Sequence, residues 1–412
     1  MKIIAENPEY KKLLEKKINS KNLSDKKIAY YKRMQKLLKM PDLSETEWNP
    51  IEMIIKKIIN SKFYSDFEHI KIPEIVKEYE TFDLFNFPKN HVARRESDSY
   101  FIEKNSDNSK NILLRPHTSV MWYYYLVENN AKEILEKTGE IKALSWWKVY
   151  RVDELDKTHH ECFHQIDGLK ITSKKKEIIN QETLKEVLSN TIKSIYPENI
   201  KYRFHKDNFP YTLESLEVEV FDNGKWLEVL WAWIVHPSVL ESLWIDSEKY
   251  NGWAFGFWID RLAMAFKKIP DIRILWSFDK RILSQWWNYE AYKQVSNYPA
   301  ITNDISFIVE KNKFIQDFEE TKKSWEVELT TQTENDSFEI AWIARDVWEN
   351  LIEEVKVTDI YENDKKFWKN KKSITIRITF RSLERTLKND EINEMYLNIR
   401  EKLEKDLGYE LR

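Results

Sequence analysis

The sequence predicts an α+β protein: an antiparallel sheet flanked by helices, followed by a smaller unit of ferredoxin-like order. Three observations carry this. Strand-like runs come in adjacent pairs, VYRVD with FHQID and LEVEV with KWLEVL, the second pair joined by Asp222-Asn223-Gly224. An Asn-Gly between alternating segments marks a tight hairpin, and hairpins build antiparallel sheets. Ile259, Leu262, Ala263 and Phe266 recur at helical spacing, giving a helix with one buried face. Beyond SNYPAI the chain reads strand, helix, strand, strand, helix, strand, which is the split β-α-β-β-α-β unit.

In chain order, residues 1–81 form a helical N-terminal extension, because apolar residues recur at helical spacing among lysines in YKKLLEKKI and IEMIIKKII. A solvated extension and a contact with RNA or a neighbouring domain both fit. Residues 82–295 alternate short strands and helices and form the main sheet. Residues 296–412 form the last unit: strand DISFIVE, helix SFEIAWIARDVWENL, strands EEVKVTDIYE and SITIRITFR, helix NDEINEMYLNIREKLEKDL and a short YELR.

The 412 residues are 33% charged and 42% hydrophobic, as in ordinary folded domains. A formal net charge of -3 supplies no global basic field, so any nucleic-acid contact must come from a local patch. Cys162 is the only cysteine, which excludes a disulfide framework and points to a reducing compartment such as the cytoplasm. No run of about 18 apolar residues predicts a membrane span. The start, MKIIAENPEYKKLLEKK, reads as neither a signal nor a transit peptide.

Side chains alternate along strands, so Arg151 shares a face with Asp153, and Phe163 with Gln165 and Asp167. If these strands pair, one face displays a guanidinium, two carboxylates, an amide and a ring. That is either a solvated outer face or a site for a phosphate, an ammonium and a base. In the second hairpin Glu219 falls opposite Glu228. Facing like charges destabilise a sheet, so a cation belongs between them: Mg²⁺, an arginine, or plain solvent. His159, His160, Cys162 and His164 are metal-ligand types, but their spacing fits no zinc pattern. GWAFG lacks the lysine and the spacing of a phosphate loop. Lys365, Lys366, Lys369, Lys371 and Lys372 crowd a hairpin tip, which is either an RNA contact or a solvated turn.

FNFPKNHVARRESDSYF, LLRPHTSV, KVYRVDELDKTHHECFHQIDGL, FPYTLESLEVEV, KWLEVLWAWIVHP and GWAFGFWIDRLAM resemble, in order, the class II catalytic core of phenylalanyl-tRNA synthetases. YPAITNDISFIVE and TFRSLERTL resemble their ferredoxin-fold anticodon-binding domain, fused here as in the single-chain mitochondrial-type form. The resemblance implies ATP as substrate, Mg²⁺, tRNA(Phe) and phenylalanine as partners, and a monomer. It implies that His117 and Ser119 hold the amino acid, that Gln165 meets its ammonium, and that Asp153 and Asp167 stand where glutamate is common. It places Phe209 and Tyr211 around the phenyl ring, Ala254 at the pocket floor beside Gly256, and His159, Phe163 and Glu228 at the nucleotide. Arg151 would bind the α-phosphate and Arg261 the triphosphate. The two units leave no stretch for an editing domain, so mischarging with tyrosine is expected. The alternative is a catalytically impaired, synthetase-like RNA-binding protein.

One total is abnormal: 6 glycines and 17 tryptophans, where average usage of about 7% glycine would give roughly 29. The resembled family has glycine near Trp147, Trp231, Trp233, Trp244 and Trp258, and Trp342, Trp348 and Trp368 look similarly placed. A codon read as tryptophan here and as glycine in the source organism, UGA being the obvious candidate, would explain both totals.

Overall fold

The computed structural model describes residues 1–412 except 130, 154, 197–199, 208–211, 223, 311–350 and 363–370. The chain divides into two units, Met1–Tyr292 and Lys293–Arg412. In the first, strands β1 (Lys2–Ile3), β2 (Glu68–Lys71), β3 (Glu140–Tyr150), β4 (Cys162–Ser173), β5 (Tyr202–Asp207), β6 (Thr212–Asp222), β7 (Lys225–Val235) and β8 (Tyr250–Trp258) form one sheet. Their order is β1-β2-β3-β4-β8-β7-β6-β5. β1 and β2 run parallel to their neighbours, and the rest is antiparallel. The stretch 1–81 therefore packs within the first unit and lends its sheet two strands.

Helices α1 (Pro8–Ile18), α2 (Asp25–Lys39), α3 (Pro50–Ile59), α4 (Gln181–Ile195), α5 (Pro237–Ser242) and α6 (Ile259–Lys267) accompany the sheet. α3 starts cleanly because the Asn49 side chain accepts from the Ile51 N–H and Pro50 occupies the first turn. Its isoleucines leave it apolar on most sides, so it is buried between α4 and α6. α4 lies on β6 and β7, and α6 lies on β4. One sheet face is thereby sealed, and the other is free to carry a site.

The parity argument holds along β4. His164 points away from Phe163 and Gln165, into the sealed side, between Asp42 (3.3 Å) and Asp260 (3.5 Å). Burial alone would lower its pKa, but Asp260 and Asp42 outweigh burial and hold it at about 9. The four metal-type residues of HHECFH are thus dispersed, and no group of three such side chains gathers among the described residues. Since the folded pKa exceeds the usual imidazole value of about 6.5, this stabilisation is complete below pH ~6.5 and is lost as pH rises through about 9. Urea midpoints measured from pH 6 to 10 should show a decline on the order of 2–3 kcal/mol that His164→Gln lacks.

In the second unit, β9 (Ile301–Glu310), β10 (Ile352–Tyr361), β11 (Lys371–Phe380) and β12 (Glu410–Leu411) form an antiparallel sheet in the order β10-β11-β9-β12. Helix α7 (Asn389–Leu407) lays Ile392, Met395, Ile399 and Leu403 onto Ile305, Phe307, Ile374 and Ile376. This is the predicted split order, although the expected helix SFEIAWIARDVWENL lies outside the described residues. Lys372 corrects the expected basic tip: it sits within β11 opposite Val309 and is buried. Lys371 pairs with Glu410 at 3.5 Å. Lys365, Lys366 and Lys369 lie outside the described residues.

Candidate active site

Pairing across the sheet gathers the site. Gln165 lies opposite both Trp147 and Trp258, Asp167 opposite Ser145 and Gly256, Gly256 opposite Trp231, and Ala254 opposite Trp233. Directly opposed residues share a face, so strands β3, β4, β8 and β7 present one continuous surface. Together with Phe85, Phe87 and Val239 this surface bounds a cavity of about 270 Å³. His117, Ser119, Arg151, Gln165, Asp167 and Gly256 line it, as do Trp122, Trp231, Trp233 and Trp258.

Its polar floor is tightly organised. Thr118 donates its hydroxyl to Asp167, Ser119 donates to the same carboxylate at 3.2 Å, and the Thr118 N–H donates to Gln165 at 3.3 Å. Burial raises the Asp167 carboxyl to about 7, against the lowering effect of these hydroxyls. Gly256 is required here: a Cβ would stand 2.4 Å from the Asp167 Oδ1. His117 is pushed down to about 3 by burial and by Arg151, so it is neutral. Its ring nitrogens are buried, with only the Thr81 backbone near enough to act on them and no hydrogen bond of good geometry, while Phe82, Phe85 and Phe87 surround the ring. Buried polar atoms short of a protein partner take one from water or from a bound molecule, which leaves this ring available to a ligand in the cavity.

A second, smaller cavity of about 20 Å³ lies beyond Trp258, lined by Arg151, Asp153, His159, Phe163, Arg261 and others. Arg151 and Trp258 bound both cavities. The Arg151 Nε–H donates to the Pro116 carbonyl at 3.1 Å, which aims the guanidinium. Arg261 follows from the first turn of α6.

The sequence expectations fare unevenly. The β3–β4 pairing is real, but β3 ends at Tyr150; beyond it the Val152 N–H turns to the Asp98 carbonyl. Asp153 therefore leaves the ladder and lines the smaller cavity, not the larger. The Asp222–Lys225, Phe221–Trp226 and Glu219–Glu228 register is as expected. Facing Glu219 stand Arg203 and His205 of β5, each 2.6 Å from its carboxylate. An ion pair with Arg203 thus occupies the Glu219 carboxylate that was expected to share Mg²⁺ with Glu228. A bulge between Glu228 and Leu230 keeps Glu228 on the site face with Trp231, and its charge acts on Arg261. Phe209 and Tyr211 lie outside the described residues. Phe85, Phe87, Thr118 and Trp122 belong to the site without being singled out beforehand, although Phe85 and Phe87 lie within the legible FNFPKNH, Thr118 within HTSV, and Trp122 just after it.

A sequence model described as tRNA synthetases class II core domain (F) matches residues 34–286. A protein named phenylalanine–tRNA ligase, chloroplastic/mitochondrial, from Arabidopsis thaliana is 31% identical over 86% of this chain and 75% of its own length. The chain belongs to the phenylalanine–tRNA ligase family. A mitochondrial family member from Dictyostelium discoideum is 30% identical over 87% of this chain and 84% of its own length. A phenylalanine–tRNA ligase alpha subunit from Wigglesworthia glossinidia brevipalpis is 33% identical over 67% of this chain and 83% of its own length. A second family model, described as ferredoxin-fold anticodon binding domain, matches residues 296–412. Family membership fixes the α+β architecture of the core and the identity of the second unit. The organellar names of several relatives differ from the cytoplasmic expectation, and among the described residues no helix is long and apolar enough to cross a membrane.

Proposed function

We propose that this chain is a phenylalanine–tRNA ligase that activates phenylalanine with ATP and transfers it to the 3′-terminal adenosine of tRNA(Phe). The observation that carries this is the buried Asp167 at the floor of an aromatic-walled cavity with Arg151 at its mouth. The Asp167 carboxylate and the Gln165 amide bind the ammonium of phenylalanine, and Phe85 and Phe87 pack on its ring. Neutral His117 supplies a hydrogen bond to the bound amino acid. The substrate carboxylate then points toward Arg151, which bridges the amino-acid and nucleotide sides.

In the first step a carboxylate oxygen attacks the ATP α-phosphorus, forming phenylalanyl-adenylate and releasing pyrophosphate. Arg151 neutralises charge at the α-phosphate and Arg261 at the departing phosphates, so catalysis is positioning and charge stabilisation. Phe163 and His159 border the nucleotide side. Mg²⁺ would enter with ATP, largely on phosphate oxygens. In the second step a ribose hydroxyl of the terminal adenosine attacks the acyl carbon and AMP leaves. The chain would work as a monomer, since core and anticodon-type domain lie on one polypeptide.

For the RNA, Lys365, Lys366 and Lys369 remain the basic candidates. Reversing all three to glutamate should raise the KM for tRNA roughly tenfold or more, steepest at low salt, with pyrophosphate exchange unchanged. Aminoacylation and exchange kinetics on the same variant test this; an equal loss in both would assign those lysines to folding instead.

A further inference from the structure

Two tryptophans hold a backbone that tryptophan avoids. Trp48 has φ 65° and Trp244 has φ 58°, the left-handed region where a bulky side chain is an outlier and glycine is at ease. Trp244 directly follows the cap of α5, the position where a helix-ending glycine belongs. Trp244 is 54% exposed, so only partial packing is there to offset the strain.

Trp258 presents a different conflict. Its ring lies 4.1 Å from the Arg261 guanidinium, 5.5 Å from that of Arg151 and 5.3 Å from the Phe163 ring. Both arginines aimed at the site thus lie against this indole. The same ring walls off the nucleotide-side cavity, whose ≈20 Å³ has room for about one water. Trp258 also stands at the N-cap of α6 and makes no side-chain cap bond, where glycine is acceptable and an indole is not a capping residue. Trp231 and Trp233 project into the larger cavity from β7 on the same face.

Other tryptophans fit their places. Trp253 is fully buried and stacked on Phe255, and Trp226 packs on Phe221 across the hairpin. Trp147 is buried and donates to the Ile70 carbonyl at 2.9 Å, so the structure supplies no steric argument there.

We infer that positions 48, 231, 233, 244 and 258 carry glycine in the protein as its source organism makes it, and that glycine at 258 joins the two cavities into one cleft for amino acid and nucleotide. The decoding rests on backbone and packing; the use of the joined cleft rests on the proposed ligase function. Tryptic cleavage provides internal controls. YNGWAFGFWIDR, released between Lys249 and Arg261, contains 253 and 258. WLEVLWAWIVHPSVLESLWIDSEK, released after Lys225, contains 226, 231, 233 and 244. Tandem mass spectrometry of the protein isolated from its source should read tryptophan at 226 and 253 and glycine at 231, 233, 244 and 258. Tryptophan at 231, 233 and 258 overturns the inference. A second arm compares chains made from two synthetic genes, one with tryptophan and one with Trp48→Gly, Trp231→Gly, Trp233→Gly, Trp244→Gly and Trp258→Gly. Phenylalanine-dependent pyrophosphate exchange should be at least about 100-fold faster in the glycine chain. Equal rates overturn the blocked-cleft reading. Glycine in the peptides with no exchange by the glycine chain would uphold the decoding and defeat the ligase proposal.

Discussion

Asp167→Asn is expected to raise the KM for phenylalanine by roughly 30- to 1,000-fold, the range for truncating one partner of a desolvated charge pair. The physical reason is specific. Asp167 is fully buried, with Thr118 and Ser119 on its oxygens and only the Arg151 charge acting on it, so an arriving ammonium supplies its close cationic partner. The same carboxyl predicts a pH dependence. Its pKa in the free protein is raised by burial to about 7. Above that pH the carboxylate is charged and ready for the ammonium. Below it, protonation competes with binding, and the KM climbs toward tenfold per pH unit. Asp167→Asn should abolish this slope between pH 5.5 and 7.5 while leaving the KM for ATP nearly unchanged. Steady-state exchange kinetics across that range are the check. A variant whose KM for phenylalanine follows the same pH profile as the parent would remove Asp167 from ammonium binding.

Arg151→Ala is expected to lower kcat for adenylate formation by roughly 10²- to 10³-fold, the usual loss when one preorganised charge-stabilising group is removed. Among the described residues Arg151 alone has a charged side chain that lines both cavities, and its Nε–H bond to Pro116 holds the guanidinium in place. Arg151→Lys should recover little, because an ammonium lacks the planar fork that grips phosphate oxygens in pairs. Pre-steady-state formation of adenylate separates this from a binding defect: the rate should fall while the affinity for phenylalanine changes by only a few-fold. A large loss of phenylalanine affinity with an unchanged rate would move Arg151 from the chemistry to substrate holding.

Much of this arrangement was legible before any coordinates. The Asn223-Gly224 turn fixed the β6–β7 register, and period-2 alternation placed Phe163, Gln165 and Asp167 together and turned His164 away. What escaped has physical causes. Parity holds only while a strand continues, and β3 stops at Tyr150, so Asp153 drifted to the nucleotide side. A facing glutamate pair signals a missing cation but does not name it. Arg203 and His205 come from β5, a strand whose pairing to β6 has no short-range signal. Lys372 looked solvated because it sits in a run of lysines; its strand begins one residue earlier and points it inward. Phe85 and Phe87 reach the cavity from the end of a one-turn 3₁₀ helix, Asp83–Phe85, and the residues just after it, too short a stretch for periodicity to predict direction. The positive φ at Trp48 was invisible because the sequence around it carries no glycine-type turn signal.

The central claim is that one cleft joins phenylalanine to ATP and then to tRNA. Its most direct test is ATP–pyrophosphate exchange by the protein isolated from its source, run with each of the standard amino acids in turn. The account predicts exchange that requires phenylalanine, with a weaker response to tyrosine and background rates for the others. Exchange with a different amino acid alone, or none with phenylalanine, would contradict it.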